Sequence, residues 1–177
     1  PNISCHSCTA CLTGHLNACR SLKLLGIDLD GGFGQYVNVP ASHVHLLPEN
    51  VPMAYGSMAE MYALGNHILQ RGHVQPGETV VILGAGKLGL SILDVLCHSA
   101  RPSTAIVTDL QPFRLDTAAK LGAEVVLDIT QEDPVTRVLE LTRGEGVDCV
   151  IEAVGHYHLS TGQEAPLAQA VKMVRNG

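Results

Sequence analysis

Residues 79–89 read Thr79-Val80-Val81-Ile82-Leu83-Gly84-Ala85-Gly86-Lys87-Leu88-Gly89, and this stretch decides the fold. A short β-branched run enters a Gly-x-Gly-x-x-Gly turn, and an apolar segment of helical period follows. A second β-branched run, Thr104-Ala105-Ile106-Val107-Thr108, then ends in Asp109, 20 residues past Gly89. Each part has a physical task. Gly84 permits a tight turn out of the strand, Gly86 lets a pyrophosphate approach the backbone, and Gly89 lets helix and strand pack closely. Lys87 and Leu88 open the helix, whose free N–H groups and positive dipole end favour phosphate. Asp109 can accept hydrogen bonds from the hydroxyls of an adenosine ribose and would repel a 2′-phosphate, so NAD is expected over NADP. Arg114, five residues on, is the nearby cation that bears on that preference.

Working outward from this stretch, the C-terminal part continues the alternation of strand and helix. Leu88, Ile92, Val95 and Leu96 share one helix face, and Cys97 continues the segment as a small buried thiol. Pro112 opens the next helix and Gly122 closes it. A strand is expected at 125–127, a helix from Asp133-Pro134 to about 143, a strand at 147–152 with Cys149 in the core, and a last helix at 167–174. Val154 and Gly155 fall just past the carboxyl end of the fourth strand, where open α/β sheets bind ligands. His156 and His158 read as exposed loop residues. The expected product is a Rossmann-type parallel sheet, ordered 3-2-1-4.

The N-terminal part has a different character. Cys5-x2-Cys8-x2-Cys11-x7-Cys19 gathers four of the six cysteines into 15 residues. Short spacings let thiolates converge on one ion, and a closed four-cysteine tetrahedron suits structural zinc. An iron–sulfur site, two disulfides and a redox dithiol are the alternatives. The x7 gap and Arg20 after the last cysteine differ from the ferredoxin run, which has x3 and then proline. Arg20 and Lys23 can offset the charge of four thiolates, and His6 and His15 read as loop histidines. Residues 33–39 and 44–47 alternate like strands, with His43 and His45 on one solvated face. Residues 53–71 read as a helix carrying Glu60 and His67 two turns apart on one side. Gln75-Pro76-Gly77-Glu78 marks a turn, which divides the chain into 1–76 and 77–177.

Composition limits the classes of function. The 177 residues carry a net charge of −6 with no basic run, which argues against nucleic acid and anionic membrane partners. Apolar residues make up 46%, aromatics only 3%, with no Trp, which favours aliphatic α/β packing over an aromatic-rich sandwich. No apolar segment reaches membrane-spanning length. Clustered cysteines that suggest metal also suggest a reducing, cytoplasmic setting. The chain opens without Met and stops at Asn176-Gly177 after a helix-like segment, so both ends read as positions inside a longer protein.

Taken together, the motifs resemble the zinc-dependent medium-chain alcohol dehydrogenases, in particular their sorbitol and threonine dehydrogenase-like branch. The resemblance rests on the four-cysteine lobe with Gly14-His15-x-Asn17-x-Cys19 and on Asp30-Gly-Gly-Phe-Gly-Gln-Tyr-Val-x-Val-Pro40. It extends through Val74-x-Pro-Gly-Glu-Thr-Val-x-Ile-Leu-Gly-Ala-Gly86-x-x-Gly89, Thr108-Asp109, Ala119-Lys-Leu-Gly-Ala123 and Gly146-Val-Asp-x-Val-Ile-Glu-Ala-Val-Gly155. It implies part of a zinc-bearing, β-rich catalytic domain followed by an incomplete NAD-binding Rossmann domain. It further implies a second, catalytic zinc acting as a Lewis acid on an alcohol or polyol while hydride passes to NAD, and a homo-oligomer when full length. Glu60 matches a carboxylate near that catalytic zinc, although Met61 follows it where the branch usually has proline. His67 matches a histidine common in the branch and takes no ligand role. The first catalytic-zinc cysteine and the Gly-His-Glu segment of the family lie upstream of Pro1. A non-catalytic, zinc-stabilised NAD-binding fragment or degenerate homologue is the alternative, and a zinc-free reductase is a third.

Overall fold

The computed structural model describes residues 2–155 and 164–176. The chain forms two compact units, Pro1–Val51 and Pro52–Gly177. The boundary expected after residue 76 therefore differs from the division made by contacts. Helix α3 (Ala59–Arg71) packs on α4 (Lys87–Val95) and goes with the second unit.

In the first unit, β1 (Asn2–Ile3) pairs antiparallel with β2 (Lys23–Leu24), and between them lies the single turn of α1 (Thr9–Leu12). A 3₁₀ turn spans Leu16–Ala18 and another Ala41–His43. The strands expected at 33–39 and 44–47 do not form. Their alternating pattern needs a paired neighbouring strand to satisfy its backbone groups, and among the described residues no strand pairs with either segment. Phe33 and Tyr36 stand fully out in solvent. His43 and His45 accordingly do not share a strand face. His43 lies in a 3₁₀ turn with Nε2 3.0 Å from the Asn2 carbonyl.

The second unit begins with α2 (Met53–Gly56), which a turn at 57–58 separates from α3, so the helix expected at 53–71 is broken in two. Then follow β3 (Thr79–Leu83), α4, β4 (Thr104–Asp109), α5 (Pro112–Leu121), β5 (Val125–Asp128), α6 (Pro134–Leu141), β6 (Cys149–Glu152) and α7 (Pro166–Met173). The four strands are parallel and ordered β5-β4-β3-β6, the expected 3-2-1-4. End signals act as read. Pro112 opens α5, Gly122 closes it in the left-handed region at φ 110°, and the Asp133 side chain accepts the Thr136 N–H to cap α6. Leu96–Ala100 continues α4 as one π turn.

Both faces of the sheet are covered. Val80, Ile82, Ala105 and Val107 pack under Leu69, Ile92, Leu93, Leu96 and Ala118. On the opposite face Val81, Leu83, Ile106 and Leu127 pack under Val138, Ala170 and Met173. This two-sided burial explains why β3 and β4 are continuous β-branched runs rather than alternating ones. Cys97 and Cys149 are half-buried at the edge of the first layer, and burial pushes both thiols up in pKa. His156 and His158 lie outside the described residues. Among the described residues no helix is long and apolar enough to cross a membrane.

Candidate functional site

The sheet presents a cleft of about 310 Å³ at the carboxyl ends of its strands. Its walls include Leu83, Gly84 and Gly86 from the first turn, Thr108, Asp109 and Arg114 from the second, and Val154 past β6. The three fingerprint glycines are required for different reasons. Gly84 has φ 95°, and a Cβ there would also press on Val154 Cγ2. At Gly89 a Cβ would collide with the Gly84 carbonyl oxygen. Gly86 has ordinary φ, and a Cβ there would meet nothing within 4 Å. Nothing in the protein forbids a side chain at Gly86, so its bareness is explained by the space in front of it. Gly86 also N-caps α4, and no side chain takes the cap hydrogen bond. The N–H groups of Lys87, Leu88 and Gly89 thus open on a first turn without a side-chain cap among the described residues, which suits an anion.

Asp109 is buried at the end of β4. One carboxylate oxygen accepts the Ala85 N–H at 2.8 Å, and the other accepts the Gln111 N–H at 2.9 Å. The Arg114 guanidinium stands 3.6 Å away and also lies over the Phe113 ring. The acid is therefore fixed against the glycine turn, with lone pairs left on both oxygens. Glu152, which the sequence reading passed over, orders the opposite rim. Its carboxylate accepts the N–H groups of Val154 and Gly155 at 2.6 and 2.8 Å, holding Gly155 at φ 74°. The clue in the sequence was an acid two and three residues before a Val-Gly turn. Thr108, Gln111, Ile129, Pro166 and Gln169 also line the cleft and were missed, because each reads alone as ordinary core or helix sequence.

In the first unit the four expected cysteines converge. The Sγ atoms of Cys5, Cys8, Cys11 and Cys19 all lie within 4.8 Å of one another, and none is in a disulfide. Cys8 and Cys11 approach to 3.5 Å, and Cys5 and Cys11 to 4.0 Å. Tetrahedral zinc with bonds of about 2.3 Å requires sulfurs about 3.8 Å apart. Backbone N–H groups already point at the sulfurs, Cys5 N to Cys19 Sγ at 3.3 Å and Cys8 N to Cys5 Sγ at 3.4 Å. Those bonds favour thiolates. The Ser7 hydroxyl and backbone N–H donors hold Cys5 down to about 5, and the Cys11 amide lowers Cys8. Desolvation and the neighbouring sulfurs push Cys11 up to about 12. The donor set is all sulfur, saturated at four, and fits a closed structural zinc.

Glu60, expected near a metal, lies in the first turn of α3, exposed and without a hydrogen-bond partner among the described residues. His67 is exposed on the same helix.

Comparison with known proteins agrees with this geometry. Residues 89–177 match the zinc-binding dehydrogenase model, and residues 1–49 match the alcohol dehydrogenase GroES-like domain. The chain belongs to the zinc-binding dehydrogenase family. It is 32% identical to sorbitol dehydrogenase of Bacillus subtilis over 178 residues, which is 100% of this chain and 48% of that protein. To L-threonine 3-dehydrogenase of Pyrococcus furiosus it is 38% identical over 157 residues, 87% of this chain and 44% of that one. The chain thus spans about half the length of these curated relatives. Among solved structures, a protein described as a zinc-binding dehydrogenase from Sinorhizobium meliloti 1021, bound to NADP, superposes with a TM-score of 0.87 at 32% identity, over 99% of this chain and 49% of that one. An alcohol dehydrogenase from E. coli CFT073, complexed with NADH, gives 0.86 at 30% identity, over 98% and 49%.

Proposed function

We propose that the whole protein is a zinc-dependent oxidoreductase that moves hydride between NAD and an alcohol, a polyol or a threonine-like hydroxy compound. The observation that carries this is the bare Gly86 and uncapped start of α4 facing a buried, fixed Asp109 across one cleft. Gly84 makes the turn, Gly86 leaves room for the pyrophosphate, and the backbone N–H groups that open α4 at Lys87, Leu88 and Gly89 cradle it. Asp109 takes the ribose hydroxyls, with Arg114 steadying its charge, while Val154 and Gly155 bound the far side. Cys5, Cys8, Cys11 and Cys19 hold a structural zinc that ties residues 5–19 together. Residues 1–76 are then part of a catalytic domain with its linking helix, and 77–177 part of the NAD-binding domain. Glu60 belongs to the region of a catalytic zinc, where such a metal supplies Lewis acidity toward the alcohol oxygen. An exposed carboxylate with no hydrogen-bond partner among the described residues is consistent with that service. Names of relatives support the substrate class, and the clustering of cysteines for metal supports a cytoplasmic setting. A homo-oligomer is part of the same proposal and rests on the family resemblance.

The test is steady-state NAD reduction by full-length, zinc-replete protein with sorbitol, threonine and simple secondary alcohols. Turnover with at least one of them is expected. Absence of NADH formation across a broad panel of hydroxy compounds would sink the proposal and leave a non-catalytic NAD-binding module.

A further inference from the structure

Two polar side chains occupy positions that the packing assigns to aliphatics. Thr108 lies in β4 in register with Leu83 of β3 and Leu127 of β5. Parallel register places the three on one sheet face, and Leu83 and Leu127 there belong to the core beneath Ala170 and Met173 of α7. On α7 the inward positions are Pro166, Gln169, Ala170 and Met173, a helical i, i+3, i+4, i+7 set in which Gln169 is the polar member. Thr108 is 3% exposed and Gln169 4%. Both line the cleft that holds Gly86 and Asp109.

Their hydrogen-bonding capacity is not used up. Gln169 Nε2 donates to the Glu164 carbonyl at 3.0 Å, which fixes the amide and leaves Oε1 as an acceptor without a donor among the described residues. The Thr108 hydroxyl has no side-chain hydrogen bond among them either, although its backbone carbonyl accepts the Gly84 N–H. A valine and a leucine would fill these places without the cost of burying unpaired polar atoms, about 1–3 kcal/mol each. The remainder of the wall at this end is apolar: Leu83, Ile129, Ala153, Val154 and Pro166. An apolar wall with a small number of placed polar groups is how proteins orient a ring-bearing ligand.

We infer that Gln169 and Thr108 read the purine edge of the dinucleotide, Gln169 Oε1 accepting from the exocyclic amine of adenine and the Thr108 hydroxyl donating to a ring nitrogen. This rests on the cleft being the nucleotide site. It assigns the purine to the α7 side of the cleft, while Asp109 serves the ribose. Replacing adenine by hypoxanthine exchanges the amine for a carbonyl, which sets acceptor against acceptor at Gln169.

The experiment is fluorescence titration of the full-length protein with NADH and with reduced nicotinamide hypoxanthine dinucleotide. Wild type is expected to prefer the adenine cofactor by roughly five- to tenfold. Gln169→Leu should lose that preference by weakening adenine binding while leaving hypoxanthine binding about unchanged. Thr108→Val should weaken both, and Thr108→Ser should restore them, which a purely structural role for the threonine methyl would not produce. Gln169→Glu keeps an acceptor and provides a second variant should the leucine fail to fold. Full wild-type discrimination in Gln169→Leu, or an equal loss for both cofactors, would overturn the assignment. A wild type that binds neither cofactor would refute the nucleotide reading itself and this inference with it.

Discussion

The two units hold together by different means. Residues 52–176 have a double aliphatic core, with Val80, Val81, Ile82, Ile92, Leu93, Leu96, Val107 and Met173 all removed from water. In residues 2–51 the buried side chains are Ser4, Cys11 and Cys19, while Leu12, Ile27, Phe33, Tyr36 and Leu46 are exposed. A unit of this size with so little apolar burial needs another source of cohesion. Its sulfurs supply one only through a metal, because four crowded thiols otherwise repel as they ionise. The first unit should therefore depend on its zinc and the second should not.

The most forceful way to break that contrast is to remove the metal. Chelation of the zinc, or Cys11→Ser, should abolish amide-exchange protection at residues 5–24 while β3, β4 and β6 stay protected. Structural zinc contributes about 10–16 kcal/mol of apparent binding energy in small zinc peptides, more than the first unit's own packing can replace. Zinc content by mass spectrometry should fall by one ion per chain on loss of Cys11. Persisting protection in the metal-free protein would show that the lobe folds on packing alone.

An intermediate effect is expected in the second unit, where function should be separable from folding. Asp109→Ala removes the proposed ribose acceptor and its charge, yet leaves the aliphatic core untouched. The ratio of NADPH to NADH dissociation constants should move toward NADPH by about tenfold. Arg114, released from its 3.6 Å partner, becomes free to meet the extra phosphate. An unchanged ratio would show that Asp109 only braces the Ala85 and Gln111 backbone.

How much could be read in advance follows the same division. Strand order and the helix ends at Pro112 and Gly122 were legible, because each is set by local chemistry within the unit that contains its partners, whereas the hydrogen bond from the Ala85 N–H to Asp109 became visible only in the structure. The cysteine cluster was legible because its short spacings let the thiolates converge. The strands expected at 33–39 and 44–47 failed because alternation describes a half-buried ribbon only when a neighbouring ladder exists. Thr108 and Gln169 were invisible for another reason: a threonine in a β-branched run and a glutamine in a helix become unusual only when their burial is known. The helix at 53–71 was placed with the preceding lobe because a Pro-Gly turn follows it. Its packing partner, α4, lies beyond that turn.

That last point admits a finer test of where the second unit begins. Helix α3 meets α4 through Gly65, where a Cβ would stand 3.4 Å from Ile92 Cα, and through Tyr62, whose hydroxyl donates to Asp94 at 2.7 Å. Asp94 is also 3.1 Å from His98 Nδ1, so the acid stays partnered if the tyrosine hydroxyl is removed. Tyr62→Phe should cost only about 0.5–1 kcal/mol near neutral pH. The bond to the Asp94 carboxylate favours the protonated phenol and raises the Tyr62 pKa above its ordinary 10.0. A raised folded pKa means that this contribution is complete below pH 10 and disappears as pH climbs through the folded value. Urea unfolding of wild type and Tyr62→Phe should thus differ at pH 8 and converge at strongly alkaline pH. Convergence would mark α3 as part of the cooperative second unit. A difference of zero at pH 8, with β3–β6 unfolding unchanged, would instead return α3 to the linking role that its sequence position suggested.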